Sequence, residues 1–298
     1  MVIIWSFSFV LVDIAIDIVP PLSIALYRFI IASVAFLFLD LYKVFSKHNR
    51  VKNINFEPEN EKYTKNEWIM VLLSSLCGVS LFFFAQYYAI QRIGPSLPAL
   101  FVCLLAPVLI SMLALTFFKE KLNKLKILGF IISSIGGFFL ITGNDIRNLT
   151  PESPDFLGYI AALATPILWA LYSTFTKKIA RRKSSMKLNK LVAYFGTIEL
   201  LIFAAIGNQL LILFENIFNF PLFLCGIYLG IGCYILGYYI WQKSQVTLKS
   251  FKVSSFLYIE PFITLLFSIM LNRSEIVVFW NIFGGFIVLF GVLVINYK

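Results

Sequence analysis

Charge is what this 298-residue sequence has least of: Asp, Glu, Lys and Arg together make up 13% of it, about half the share of an ordinary globular chain. Apolar residues make up 60%, and mean hydropathy is +0.87. A soluble fold of this length has no interior large enough for so much apolar surface, and a disordered chain is poor in apolar residues. Histidine occurs once, at His48, outside the apolar runs. Four cysteines, Cys77, Cys103, Cys225 and Cys233, form no C-x-x-C pair, so neither a zinc site nor a redox motif is indicated. H-E-x-x-H, G-x-S-x-G and Walker A motifs are missing, which removes the sequence basis for zinc hydrolysis, serine chemistry or ATP drive. No cofactor is implied.

What is present is apolar run after apolar run. A helix needs about 20 mostly apolar residues to cross the hydrocarbon core. Runs of that kind fall near 1–19, 22–42, 67–91, 95–118, 125–142, 156–176, 188–214, 221–242, 253–271 and 276–296. The expectation is an all-α integral membrane protein with ten transmembrane helices in the cell membrane, in contact with the lipid bilayer. The net charge of +10 comes in short clusters between runs, such as Arg181-Arg182-Lys183, and not as a stripe, so nucleic acid is not an expected partner. With ten spans, 21 of the 25 basic residues fall on one side and only Arg92, Arg147 and Arg273 on the other, with Arg28 inside span 2. The positive-inside rule then puts both termini in the cytoplasm. Residues 43–66 read as a cytoplasmic loop, and Asn148-Leu149-Thr150 matches a glycosylation sequon of low specificity.

The chain also repeats itself. Gln91, Ser96 and Pro107 recur 154 residues later as Gln245, Ser250 and Pro261; Glu120, Gly129 and Gly136 recur 155 later as Glu275, Gly284 and Gly291. Trp5 can be set against Trp169. Each half carries five spans, and five being odd, the second half enters the membrane from the opposite side. Such inverted-topology repeats are the architecture of many secondary transporters, with a site between the halves. The division expected is a first five-helix repeat over 1–143, an outer linker over 144–155 and a second repeat over 156–298.

These residues resemble the EamA-type branch of the drug/metabolite transporter superfamily. The matching pieces are Trp5, Pro21, Arg28-Phe29, Pro107, and Glu120 with Gly129 and Gly136; then Trp169, Tyr258-Ile259-Glu260-Pro261, and Glu275 with Gly284 and Gly291. The ordered set covers nearly the whole chain. The family usually carries more residues before its first tryptophan, which leaves span 1 short here. The resemblance implies a central cavity built from spans 1–4 and 6–9, spans 5 and 10 at the periphery, and transport of a small-molecule substrate. A channel or a membrane-embedded enzyme is the alternative.

Ionisable residues at membrane depth are costly and mark sites or structural pairs. Asp13 and Arg28 each lie six residues from the outer end of their spans, roughly 9 Å deep at 1.5 Å rise per residue, and the short 17–22 connection suggests that they pair. Glu199 and Glu260 fall near mid-membrane, where desolvation disfavours a charged carboxyl and makes either a candidate proton carrier. Glu260 has a second reading, satisfying backbone groups freed where Pro261 breaks its helix. Polar aromatics and amides inside spans, Gln86, Tyr87, Trp169, Tyr172, Tyr238, Trp241 and Tyr258, are candidate cavity walls, because the polar tip of a buried aromatic seeks a partner. Small residues four apart, Ser133 with Gly137 and Gly226 with Gly230, suit close helix packing, within the chain or at a homodimer interface.

Overall fold

The computed structural model describes residues 1–48, 62–118, 124–143, 145, 150–248, 250–273 and 278–297. Glu120, Glu275, Arg147 and the first two residues of the sequon lie outside them. The described residues are mostly helical, without strands. The helices are α1 (Val2–Ile16), α2 (Pro21–His48), α3 (Lys65–Ile93), α4 (Ser96–Phe118), α5 (Lys124–Thr142), α6 (Phe156–Ala180), α7 (Ser185–Ile206), α8 (Phe220–Thr247), α9 (250–270) and α10 (Phe279–Asn296). Among the described residues six helices, α2, α3, α4, α6, α7 and α8, are long and apolar enough to cross a membrane. The apolar parts of α1, α5, α9 and α10 are shorter.

Local chemistry fixes several ends. Thr64 opens α3 with a capping box: its backbone N–H donates to Glu67 (2.8 Å), and its hydroxyl accepts from the Glu67 N–H. Ser184 and Asn219 cap α7 and α8 in the same way, by accepting from a backbone N–H three residues on. Gly94, at φ 76°, ends α3 where a side chain would be strained. Four expected boundaries move. Helix α2 continues to His48, so the connection it opens is shorter than 43–66, and α1 ends at Ile16. The seventh span stops at Ile206, because the chain turns at Gly207 and Asn208 (φ 54°) before a short helix Leu210–Asn216. The ninth is broken into Ser250–Ser254, a 3-10 turn Ser255–Ile259, and Glu260–Met270.

The main packed core draws on α1–α4 and α6–α9; among its described residues none comes from α5 or α10. Helix α4 packs on α6 much as α9 packs on α1, α3 packs on α7 as α8 packs on α2, and α2 lies against α7. Helices α5 and α10 form the most extensive pair. A Cβ on Gly136 would meet backbone atoms of Val288 and Gly284 at 2.6 and 2.8 Å, and one on Gly291 the backbone of Ser133 and Gly129 at 2.7 and 2.8 Å. The recurring glycines of the two halves therefore close on each other, as small residues do at tight crossings. Gly226 and Gly230 likewise face Tyr27, Ile31 and the Arg28 carbonyl of α2, so both pack within the chain. Outward faces carry large apolar side chains, among them Phe218 (95% exposed), Ile206 and Phe279. On a soluble monomer such surface would drive aggregation; on a chain with membrane-length helices it is the lipid-facing coat.

Two stretches depart from α geometry. Leu76–Ser80 inside α3 forms one π turn, and Tyr228–Tyr238 inside α8 forms a longer π segment. Such segments widen the helix and redirect carbonyls, and they often sit at functional sites. Here those carbonyls receive side chains from neighbouring helices: Leu229 from Arg28, Cys233 from Trp5, Ile235 from Asn189 and Gly78 from Tyr238.

Candidate functional site in the helix core

The centre of the core holds a narrow cavity of about 50 Å³ lined from seven helices. Helix α1 contributes Trp5, Ser8 and Phe9, and α2 contributes Arg28. From α3 come Phe82, Phe83 and Gln86; α4 gives Cys103, α6 Trp169, α8 Cys233 and Tyr238, and α9 Leu257 and Glu260. That volume holds a few waters and no metabolite. The cavity is thus contracted around its lining.

Aromatic rings make most of the wall. Trp5 meets Trp169 edge-on with centroids 5.5 Å apart, and Tyr238 meets both at 6.0 and 5.4 Å. Tyr172 and Trp241 stand behind Trp169, at 5.0 and 5.4 Å. The indole N–H of Trp5 donates to the Cys233 carbonyl (2.9 Å), which fixes the ring, whereas that of Trp169 is buried without a partner.

Two ionisable groups face this wall. Arg28 is 2% exposed, a position that demands strong compensation for a cation. It donates to the Tyr87 hydroxyl (2.5 Å) and the Leu229 carbonyl (2.8 Å), and lies 4.2 Å from the ring centre of Phe83. A phenol, a carbonyl and a ring face offer only partial negative charge, and Arg28 Nε has no partner. Across the cavity Glu260 is also 2% exposed, hydrogen-bonded to the Cys103 thiol, with Oε2 unpartnered. Its carboxyl does not cap the helix break: the 3-10 turn absorbs the break, and Pro261 sits in the first turn of the following helix, where no N–H is needed. The backbone is held instead by Ser6, whose hydroxyl donates to the Glu260 carbonyl (3.1 Å).

Of the residues singled out from the sequence, the cavity gathers Arg28, Glu260, Gln86, Trp169 and Tyr238 directly, with Tyr87, Tyr172 and Trp241 immediately behind. Tyr258 belongs to a second apolar cluster with Phe101, Tyr159 and Val288. Glu199 is held by Ser75 and Ser80 of α3. The pairing of Asp13 with Arg28 is overturned. Asp13 is bound by Arg273, which follows α9 and also reaches the Asp13 carbonyl and Asp17. Packing explains this, since the contact α1 makes with α9 is far more extensive than the one with its chain neighbour α2, whose Arg28 face turns toward α3 and α8. Sequence reasoning left Cys103, Cys233, Ser8, Phe82 and Phe83 out of the site, because single apolar or small residues inside a span look like packing. Trp5 was visible through its match to Trp169 and through the family resemblance, and not as a site residue.

The comparisons agree with this architecture. A protein of known crystal structure superposes with a TM-score of 0.59 over 98% of this chain and 95% of that one at 18% identity, a likeness of fold alone. An uncharacterized transporter of Archaeoglobus fulgidus is 24% identical over 298 residues, covering 99% of this chain and 94% of its own length. The uncharacterized inner membrane transporter YhbE of Escherichia coli K12 is 21% identical over 259 residues, 87% of this chain and 74% of that protein. The EamA-like transporter family matches residues 1–142 and again 156–297. This chain is a multi-pass membrane protein belonging to the EamA-like transporter family.

Proposed function

We propose that the protein is a secondary carrier that moves small amphipathic solutes, amino-acid-like in carrying an anionic group on a partly apolar body, by alternating access through the Arg28–Glu260 cavity. The observation that carries this is a buried guanidinium without a full counter-charge facing an unpartnered carboxyl oxygen across an aromatic wall. A carboxylate or comparable anionic group on the solute supplies what Arg28 lacks, and the rings suit an apolar body. Glu260 is then the candidate for the coupling proton, since it alternates between charged and neutral without leaving the cavity.

The frame of this reading is ten crossings as two inverted five-helix repeats, 1–143 and 156–298 around a linker at 144–155, with both termini in the cytoplasm. Support comes from the basic-residue asymmetry, from the family match falling twice, and from the packing pairs, which exchange when α1–α5 are swapped for α6–α10. The π turn at 76–80, moved by the 154-residue offset, falls inside the π segment of α8. The test is uptake by purified protein in liposomes from a mixed metabolite pool, read by mass spectrometry. Selective entry of amphipathic anionic or zwitterionic solutes, lost in Arg28→Gln, is the expected result. No enrichment over protein-free liposomes, or unitary currents in single-channel recording, would overturn it.

A further inference from the structure

Glu199 lies outside the central cavity, on α7, yet its side chain grips α3 at two points. The Ser75 hydroxyl lies 2.7 Å from one carboxyl oxygen and 2.8 Å from the Leu72 carbonyl, sharing its one proton between them, and Ser80 donates to the other carboxyl oxygen. On an α-helix residues five apart point about 140° away from each other, so one carboxylate does not reach both. They align here because 76–80 is a π turn, closed by the Leu81 N–H on the Leu76 carbonyl, in which residues five apart stack. The two hydroxyls are thus a shape that Glu199 binds only while the turn is π.

The same turn reaches the cavity from its other side. Tyr238, whose ring packs on Trp5 and Trp169 in the cavity wall, donates its hydroxyl to the Gly78 carbonyl (2.9 Å) in the middle of the π turn. Gly78 itself sits hard against α6: a Cβ there would lie 2.1 Å from the Tyr172 ring. A return of 76–80 to α geometry would shift the register of one helix segment against the other, turn the Gly78 carbonyl away from Tyr238 and press on Tyr172.

We infer that Glu199 is a positioning residue for transport: by clasping Ser75 and Ser80 it holds the α3 π turn, and through the Gly78–Tyr238 hydrogen bond it holds the cavity wall closed. The inference rests on the carrier reading for its meaning in transport, but its test needs no solute. Cys233 lines the cavity beside Tyr238 and serves as the reporter. Full-length protein with Cys77, Cys103 and Cys225 replaced by alanine is reconstituted in liposomes, and its modification by N-ethylmaleimide is timed at a fixed pH of about 7.5. Ser80→Ala removes one grip only and serves where Glu199→Gln folds poorly.

The expected result is a rise of about threefold or more in the Cys233 rate for Glu199→Gln, Ser80→Ala and Tyr238→Phe. Glu199→Gln with Tyr238→Phe should then be no faster than the faster single variant, because both act through one link. Smaller changes in both Glu199→Gln and Ser80→Ala, no change in Tyr238→Phe, or rates that multiply in the double variant overturn it. A lowered melting temperature with unaltered labelling marks Glu199 as a strut and overturns it too. A blank uptake screen leaves the labelling result standing, and a failed labelling test leaves the carrier reading standing.

Discussion

The partner of Asp13 is the point at which sequence adjacency and tertiary packing give opposite answers, and a double-mutant cycle separates them. Arg273 donates through Nε to the Asp13 carboxylate, and through Nη2 to the Asp13 carbonyl (3.2 Å) and Asp17 (2.9 Å). The Asp13 side chain is 16% exposed and that of Arg273 25%, whereas Asp17 is 63% exposed. A charge-assisted hydrogen bond in such cover contributes about 1.5–3 kcal/mol, an exposed pair about 0.2–1. Taking the lower end for partial exposure, Asp13→Asn and Arg273→Gln should be coupled by about 1.5 kcal/mol, with Asp17→Asn adding a few tenths at most. Reversible unfolding of the purified protein in mixed detergent micelles, followed by circular dichroism, supplies the free energies. Asp13→Asn combined with Arg28→Gln should be additive within about 0.5 kcal/mol, as for sites that share no partner. Coupling of 1 kcal/mol or more between Asp13 and Arg28, with none between Asp13 and Arg273, would refute the packing argued here.

Three further outcomes are expected. Glu260→Gln should abolish accumulation driven by a pH gradient while keeping solute exchange at equal concentration, since the amide mimics a protonated carboxyl; full pH-driven accumulation in the variant would remove Glu260 from coupling. Gly291→Leu should cost at least about 2 kcal/mol and lower folded yield, because the new side chain meets not only the Ser133 hydroxyl but also the Ser133 and Gly129 backbone, which cannot swing aside; a yield and melting temperature equal to the parent's would show that α5 and α10 do not pack as described. In a cysteine-free background, a cysteine at Ser153 should react with an impermeant maleimide from outside intact cells, and one at Lys187 only after permeabilisation; the reverse pattern would invert the topology.

Membrane class, the positions of the ten apolar runs and the family resemblance were all legible along the chain, because each depends on local composition or on a fixed offset between residues. Apolar length reports what the solvent must be. The 154- and 155-residue offsets go with the family matching twice, over 1–142 and again over 156–297. Mid-span Arg28 and Glu260 stood out because a charge in hydrocarbon is expensive wherever its helix packs, and both do face the central cavity.

Partnership was decided only by the tertiary structure. Asp13 and Arg28 have matching depth and a short connection between them, yet depth fixes height and says nothing of the direction in which a side chain points around its helix. That direction is set by which helices pack together, and α1 packs on α9. The same holds for Glu199: its serine partners lie 119 and 124 residues away and align only because five residues of α3 take a π turn, which no local pattern announces. Cys103, Cys233 and Phe83 belong to the site for a similar reason, as ordinary apolar or small residues whose role comes from where seven helices meet. Sequence set the solvent, the apolar runs and the family; the crossing and rotation of the helices, which depend on packing summed over distant residues, chose the pairs and shaped the cavity.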